Sequence, residues 1–153
     1  MNSVSIQADP FDPNQEVDRL RGSDPSIGAL VTFIGLMRDI NEGDKVEGLT
    51  LEHYPGMTEH ALQQIVDEAS SRWNIQGCRV VHRVGALLPT DPIVLVAVAS
   101  QHRKEAFLAC EFIIDYLKTR APFWKKERTA QGERWVDARE SDDAASLRWQ
   151  RSD

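Results

Sequence analysis

Lys118, Lys125 and Lys126 are the residues whose types and spacing could do chemistry, because they flank Pro122 where an apolar pattern breaks off. That pattern is Phe112, Ile113, Ile114, Tyr116 and Leu117; beyond the proline come Phe123 and Trp124 and then more basic residues. From 115 to 128, Lys118, Arg120, Lys125, Lys126 and Arg128 face only Asp115 and Glu127, a local charge of +3 in a chain of formal net charge −6. A lysine at a helix end facing another across a tight turn senses a like charge. That lowers an amine's pKa and readies it as acid, base or nucleophile. The same residues also read as solvated cations complementing a helix dipole, and charge alone does not separate the two readings.

Three other stretches carry possible chemistry. Ser100-Gln101-His102-Arg103 lies at an expected helix start after a buried strand, where free N–H groups, the dipole and Arg103 suit a phosphate; simple capping with His102 and Arg103 exposed is the other reading. Gly35-Leu36-Met37-Arg38-Asp39 puts a glycine and an arginine just past a strand end, a common place for ligands. In Trp135-Val136-Asp137-Ala138-Arg139-Glu140, Arg139 follows a short strand and could as well form a surface ion pair. His53, His60, His82 and His102 lack metal-ligand spacing, so no metal is expected. There is no Gly-rich phosphate loop and no nucleophile elbow.

The elements that must position these residues follow from periodicity. Val4 and Ile6 make a short apolar start that could be an edge strand, in a proline-rich stretch (1–26) expected to be a loosely tied arm. Residues 27–34 form a β-branched and apolar run closed by Gly35, which reads as a central strand buried on both faces. Turn chemistry at 38–44 separates it from the alternating segment 46–54, with Leu49, Leu51 and His53 on one face, and the two strands are expected to pair. After Pro55-Gly56, Thr58 is a plausible N-cap for a helix running to about Trp73.

Residues 78–84 and 93–99 are strands joined through the turn at 89–92, an expected antiparallel pair. Ser100 can cap the next helix, whose stripe is Phe107, Cys110, Ile114 and Leu117, and which must stop near Pro122. Residues 123–128 and 134–136 then form a hairpin around Gln131-Gly132. On its first strand Lys125 shares a face with Phe123 and Glu127, and Lys126 one with Trp124 and Arg128. The polar tail from about 141 to 153, with Leu147 and Trp149 as its apolar residues, is expected to order only against a partner.

The totals bound the answer. A chain of 153 residues, 41% hydrophobic and 27% charged, fits one domain over 1–153 that buries about two-thirds of its unfolded surface. A pI near 5.2 argues against general nucleic-acid binding. Cys78 and Cys110 are far apart without CxxC spacing and read as buried structural thiols. No signal-peptide pattern and no 18-residue apolar run are present, so neither membrane association nor export is expected, and the cytoplasm is the expected location. From residues alone the result is a soluble α/β domain with an anion site.

A resemblance adds to this. Leu51-Glu52-His53-Tyr54-Pro55-Gly56-Met57, His102-Arg103 and the run 115–127 (DYLKTRAPFWKKE), supported by 135–141, resemble the catalytic subunits of molybdopterin synthase over about residues 27 to 149. The resemblance implies an α/β hammerhead fold of α+β character: a mixed, largely antiparallel sheet, two main helices and a C-terminal β-hairpin. It implies a homodimer at the centre of a heterotetramer. The reaction it implies transfers sulfur to cyclic pyranopterin monophosphate, giving the dithiolene of molybdopterin. The donor is a small ubiquitin-like subunit with a thiocarboxylate on its C-terminal Gly-Gly, and no cofactor is needed.

It further implies roles. Lys118 and Lys125 match the family's two functional lysines and would hold the thiocarboxylate tail and offset charge as sulfur moves. Arg38, His102, Arg103, Lys126 and Glu127 match positions that bind the pterin and its phosphate, with Met37 and Arg139 as further candidates. Leu36 departs from relatives that carry a basic residue there, which leaves it a backbone or minor contact. His102 and Lys118 are about 24 Å apart on one helix, too far to touch one pterin together, so a pocket shared between two subunits is expected. Two rivals remain open at this point: an adaptor that only binds a ubiquitin-like tail, and an enzyme acting on another small phosphate ester.

Overall fold

The computed structural model describes residues 2–136 and 140–150. Its elements are β1 (Asn2–Gln7), α1 (Pro13–Arg21), β2 (Ala29–Leu36), β3 (Ile40–Asn41), β4 (Asp44–Lys45), β5 (Gly48–His53), α2 (Met57–Arg72), β6 (Ile75–Arg83), β7 (Gly85–Leu87), β8 (Pro92–Ser100), α3 (Arg103–Arg120), β9 (Phe123–Thr129), β10 (Gly132–Val136) and α4 (Glu140–Leu147). One sheet has the order β1-β6-β8-β2 and a second β10-β9-β5-β7; β3 and β4 form a small ribbon. Only β1 with β6 is parallel, so the arrangement is mixed and largely antiparallel, with α2 and α3 the two long helices, as expected.

Residues 92–99 are apolar throughout because β8 is buried on both faces. Val94, Val96 and Val98 meet α2 and α3 through Leu62, Ile65, Val66, Ala109, Phe112 and Ile113. Leu95 and Ala97, with Val81, meet Phe11, Val17 and Leu20 on the opposite face. This second contact overturns the expected loose arm. Residues 2–7 pair with β6, and α1, capped by the Asp12 carboxylate, covers the sheet's far side.

Other expectations shift for physical reasons. β2 is an edge strand because no strand pairs beyond it in the sheet; Ala29 and Val31 pack against the helix-side core while Phe33, Ile34 and Leu36 stay exposed, and hydrophobicity alone could not tell edge from centre. It pairs with β8 and not with β5, since β3 and β4 lead the chain away to the second sheet. Gly85, at φ +86°, makes the bend by which the chain leaves β6 for β7 in that sheet.

Gly56 and not Thr58 is the N-cap of α2, its N–H donating to the Glu59 carboxylate. His102 and not Ser100 is the N-cap of α3; the Ser100 hydroxyl instead donates to the Asn74 carbonyl at 2.9 Å. Phe107 faces outward, and the buried face of α3 is Ala106, Ala109, Cys110, Phe112, Ile113, Tyr116 and Leu117. Cys78 and Cys110 are both buried, which pushes each thiol up to about 12 and leaves it inert.

The polar tail also packs within the chain. Trp149 sets its ring edge-on against Trp73 and Phe112, its Nε1 donates to Asp115 at 2.5 Å, and Arg148 reaches Glu111 and Asp115. Among the described residues no helix is long and apolar enough to cross a membrane.

Candidate functional site

α3 runs back along β8, to which it connects directly. Its start therefore lies at the Ser100–Ala29 end of the first sheet, and its C-terminus at the Pro92–Leu36 end. At that second end both long helices meet the second sheet: α2 begins just after β5, and β9 begins just after α3. β5 and β9 pair there, with His53 opposite Phe123 and Leu51 opposite Lys125.

The helix stops because Pro122 follows Ala121, whose ψ of 127° is extended, as proline demands of the residue before it. The corner is tight: the Phe123 N–H donates to the Ala121 carbonyl at 3.0 Å. Thr58 pins it from α2, its buried hydroxyl donating to the Pro122 carbonyl at 3.0 Å while accepting the Tyr54 N–H at 2.9 Å. His53 Nε2 lies 3.3 Å from Glu59 on the same side.

Lys118 is exposed in the last turn of α3, and Lys125, half-buried, sits two residues beyond Phe123 on the same face of β9. Beneath them lies His82 of β6, 5% exposed, stacked on Phe123 with centroids 3.9 Å apart and planes 16° from parallel. Burial pushes its pKa down to about 4, and the nearby charges of Lys125 and Lys118 add to the fall. The two lysines thus lie on different elements on either side of the Pro122 turn, and the charge of each reaches the uncharged His82 ring.

The remaining candidates divide. Arg38 is exposed just past β2, at the same end of the sheet as Lys118, and Leu36 beside it is 52% exposed. Met37 is instead packed among Val46, Leu49, Leu51 and Leu87, so it is a wall residue. Glu127 is buried and internally bonded, accepting from Asn41 at 2.6 Å and from Arg134 at 3.2 Å. Lys126 is on the opposite face of the strand, paired with Glu133 at 3.4 Å and lying over the Trp135 ring. His102 and Arg103 are exposed at the far end of α3 and are not brought to the lysines within this chain. Arg139 lies outside the described residues.

Gly28 shapes that far end. A Cβ there would sit 2.3 Å from the Gln101 carbonyl oxygen, so only glycine lets β2 begin against the α3 start. Sequence reasoning missed His82 and Thr58 as parts of the corner. The available signal was alternation, since Cys78, Val80 and His82 share one face of β6 and the first two are core residues. Among the described residues no group of three or more His, Cys, Asp or Glu could hold a metal ion.

Known proteins with this architecture agree in sequence as well as shape. The family model described as MoaE protein matches residues 6–120. A molybdopterin synthase catalytic subunit from Ralstonia nicotianae is 59% identical over 149 residues, covering 97% of this chain and 85% of that relative. A solved molybdopterin biosynthesis MoaE protein from Burkholderia ambifaria superposes with a TM-score of 0.83 at 56% identity, covering 97% of this chain and 98% of that one. A solved molybdopterin synthase from Staphylococcus aureus gives a TM-score of 0.80 at 37% identity, covering 86% and 95%. With both the family model and a close relative matched along most of its length, the chain belongs to the MoaE family, that of the molybdopterin synthase catalytic subunits.

Proposed function

We propose that this molybdopterin synthase catalytic subunit moves sulfur at the α3–β9 corner, with Lys118 and Lys125 as the groups that act on it. The observation that supports the reading is that the two lysines flank one proline turn, Lys118 at the end of α3 and Lys125 on β9 two residues beyond the Phe123 that stacks on the neutral His82 ring. A thiocarboxylate tail ending in Gly-Gly, on a small ubiquitin-like partner, is anionic and slender enough to enter between them. The tail's sulfur bonds to a side-chain carbon of cyclic pyranopterin monophosphate as a C–O bond at that carbon breaks and its oxygen leaves as water. A second water then hydrolyses the acyl C–S bond, leaving the sulfur on the pterin and the tail as a carboxylate, and a second thiocarboxylated tail repeats the exchange for the second sulfur. Two fixed ammonium groups stabilise the charge that develops on sulfur and the acyl oxygen, which is the largest contribution a preorganised site makes.

The pterin's phosphate falls to the other cations. Arg38 serves from the lysine end and Lys126 from the hairpin, with Arg139 as a further cation of the sequence, while Glu127 and Met37 shape the wall from within. Leu36 contributes apolar contact. His102 and Arg103, some 24 Å along the helix from Lys118, serve the pocket of a second copy. The exposed apolar residues Phe33, Ile34 and Leu36 on the unpaired edge of β2 support such a homodimer, at the centre of a heterotetramer with two small subunits. The cytoplasm, where thiols stay reduced, is the compartment this chemistry requires.

The test is reconstitution: the purified chain, the thiocarboxylated small subunit and cyclic pyranopterin monophosphate are mixed, and dithiolene product is measured. Product is expected, and its absence with both reagents verified overturns the reading.

A further inference from the structure

His82 sits on β6 at the register position opposite Val94, at the end of the sheet where α3 finishes. Its Nδ1 is 2.8 Å from the Arg83 carbonyl oxygen. A carbonyl can only accept, so Nδ1 carries the hydrogen and the ring is held in one tautomer and one orientation. The other β6 residues on this face, Cys78 and Val80, are wholly apolar in their packing. An imidazole in their row costs desolvation that an aliphatic side chain would not. The ring's flat face is used against Phe123, and Phe123 is the first residue of β9.

We propose that His82 is a positioning residue for the two lysines: locked by the Arg83 carbonyl, its ring holds Phe123, and with it the turn across Pro122, in the orientation that makes Lys118 and Lys125 converge. Two ammonium groups flanking a tight turn repel, and the easiest relief is for the start of β9 to swing away from the end of α3. The Thr58 hydroxyl opposes this through the Pro122 carbonyl, and the stacked ring opposes it through Phe123. A clamp under two cations must itself be uncharged. Burial and the lysine charges keep His82 so at neutral pH, its pKa lying near 4.

This inference rests on the assignment of Lys118 and Lys125 to sulfur transfer. The test measures kcat, KM for the thiocarboxylated small subunit, and thermal midpoints for the full chain and for His82→Ala, His82→Phe, Phe123→Ala, Phe123→Leu, the double alanine variant and Lys118→Ala. Misplacing a catalytic group by about an ångström costs up to about a hundredfold in rate. His82→Ala is accordingly expected to lower kcat by about tenfold or more while KM changes little. His82→Phe, which keeps a ring on Phe123, should recover most of that loss, and the double variant should be no slower than the slower single one.

A folded His82→Ala with parental kcat overturns the proposal. So does a His82→Phe no faster than His82→Ala, or losses that multiply in the double variant. If His82→Ala does not fold, Phe123→Leu decides: a comparable fall in kcat at unchanged KM supports the clamp, and parental kcat refutes it. A parent chain without product, or a Lys118→Ala variant as fast as the parent, overturns the site reading and this inference together. Full activity of His82→Ala beside a crippled Lys118→Ala overturns this inference alone.

Discussion

The two ends of α3 are built on opposite plans. At its C-terminus the chain meets itself: a proline turn, a threonine hydroxyl and a stacked histidine and phenylalanine meet between Lys118 and Lys125, with Thr58 and His82 buried and neutral. At its N-terminus His102 and Arg103 are exposed, and the N-cap residue makes no side-chain capping bond. One end is preorganised by its own chain. The other presents His102 and Arg103 outward, over a start of β2 that only a glycine allows to come so close. Groups that must stabilise charge during bond making need rigid support, whereas groups that hold a phosphate can be completed by a second copy.

That contrast can be broken most forcefully at the lysine end. Lys118→Ala is expected to lower kcat by a hundredfold or more, the usual effect of deleting one preorganised charge-stabilising group, with its thermal midpoint nearly unchanged because the side chain is exposed. A stopped reaction accompanied by a collapsed fold would show instead that the residue is structural.

Next in size is an acid effect on stability. His82 has a folded pKa near 4, below the ordinary 6.5, so the unfolded chain binds its proton more readily. The neutral ring's contribution is therefore complete above pH 6.5 and drains away as pH falls towards 4. The full difference amounts to about 3 kcal/mol. Lys118, Lys125 and His53 all oppose protonation there. Denaturant midpoints from pH 7 to 4 should fall less steeply in His82→Phe than in the parent, and equal slopes would remove His82 from the account.

The far end of α3 should respond through binding. Arg103→Ala is expected to raise KM for the pterin about tenfold, the loss of one charge-assisted contact, and to leave kcat largely intact. Mixing it with Lys118→Ala sharpens the comparison. With the pterin held well below the parental KM, a shared pocket gives each mixed dimer one site with both residues intact, and activity returns to about half the parental value per mixed dimer. Activity that stays near the average of the separate variants would show that Arg103 does not complete the lysine pocket of a second copy. The smallest effect is expected at Thr58→Val, which strips the Tyr54 N–H and the Pro122 carbonyl of their partner and should cost about 1–2 kcal/mol of stability.

Much of the architecture was readable along the chain, and the misses share a cause. β8 was recognisable because a strand buried on both faces must be apolar throughout. β2 has the same apolar composition yet lies at an edge, since composition records that a surface will be covered and not whether its own chain covers it. The stretch 1–26 looked loose because, beyond Val4 and Ile6, its apolar residues Phe11, Val17 and Leu20 are spread along a polar, proline-rich sequence; their value appears only where Val81, Leu95 and Ala97 offer a matching surface. Trp149 is a similar case, a lone aromatic in a polar tail that packs against the core where Trp73 and Phe112 stand beneath it.

The candidate site shows the same division. By itself the sequence determined that a helix ends at Pro122, that a strand follows, and that Lys118 and Lys125 flank the break, because proline geometry and hydrophobic period act over a few residues. Only the tertiary structure decided that Glu127 is spent on Asn41 and Arg134, that Met37 is packed in the second core, and that a histidine 36 residues before Lys118 stacks on Phe123 at the start of β9. The last of those contacts joins β6 and β9 across two sheets. Long-range juxtaposition depends on how whole faces pack, and no local pattern encodes it.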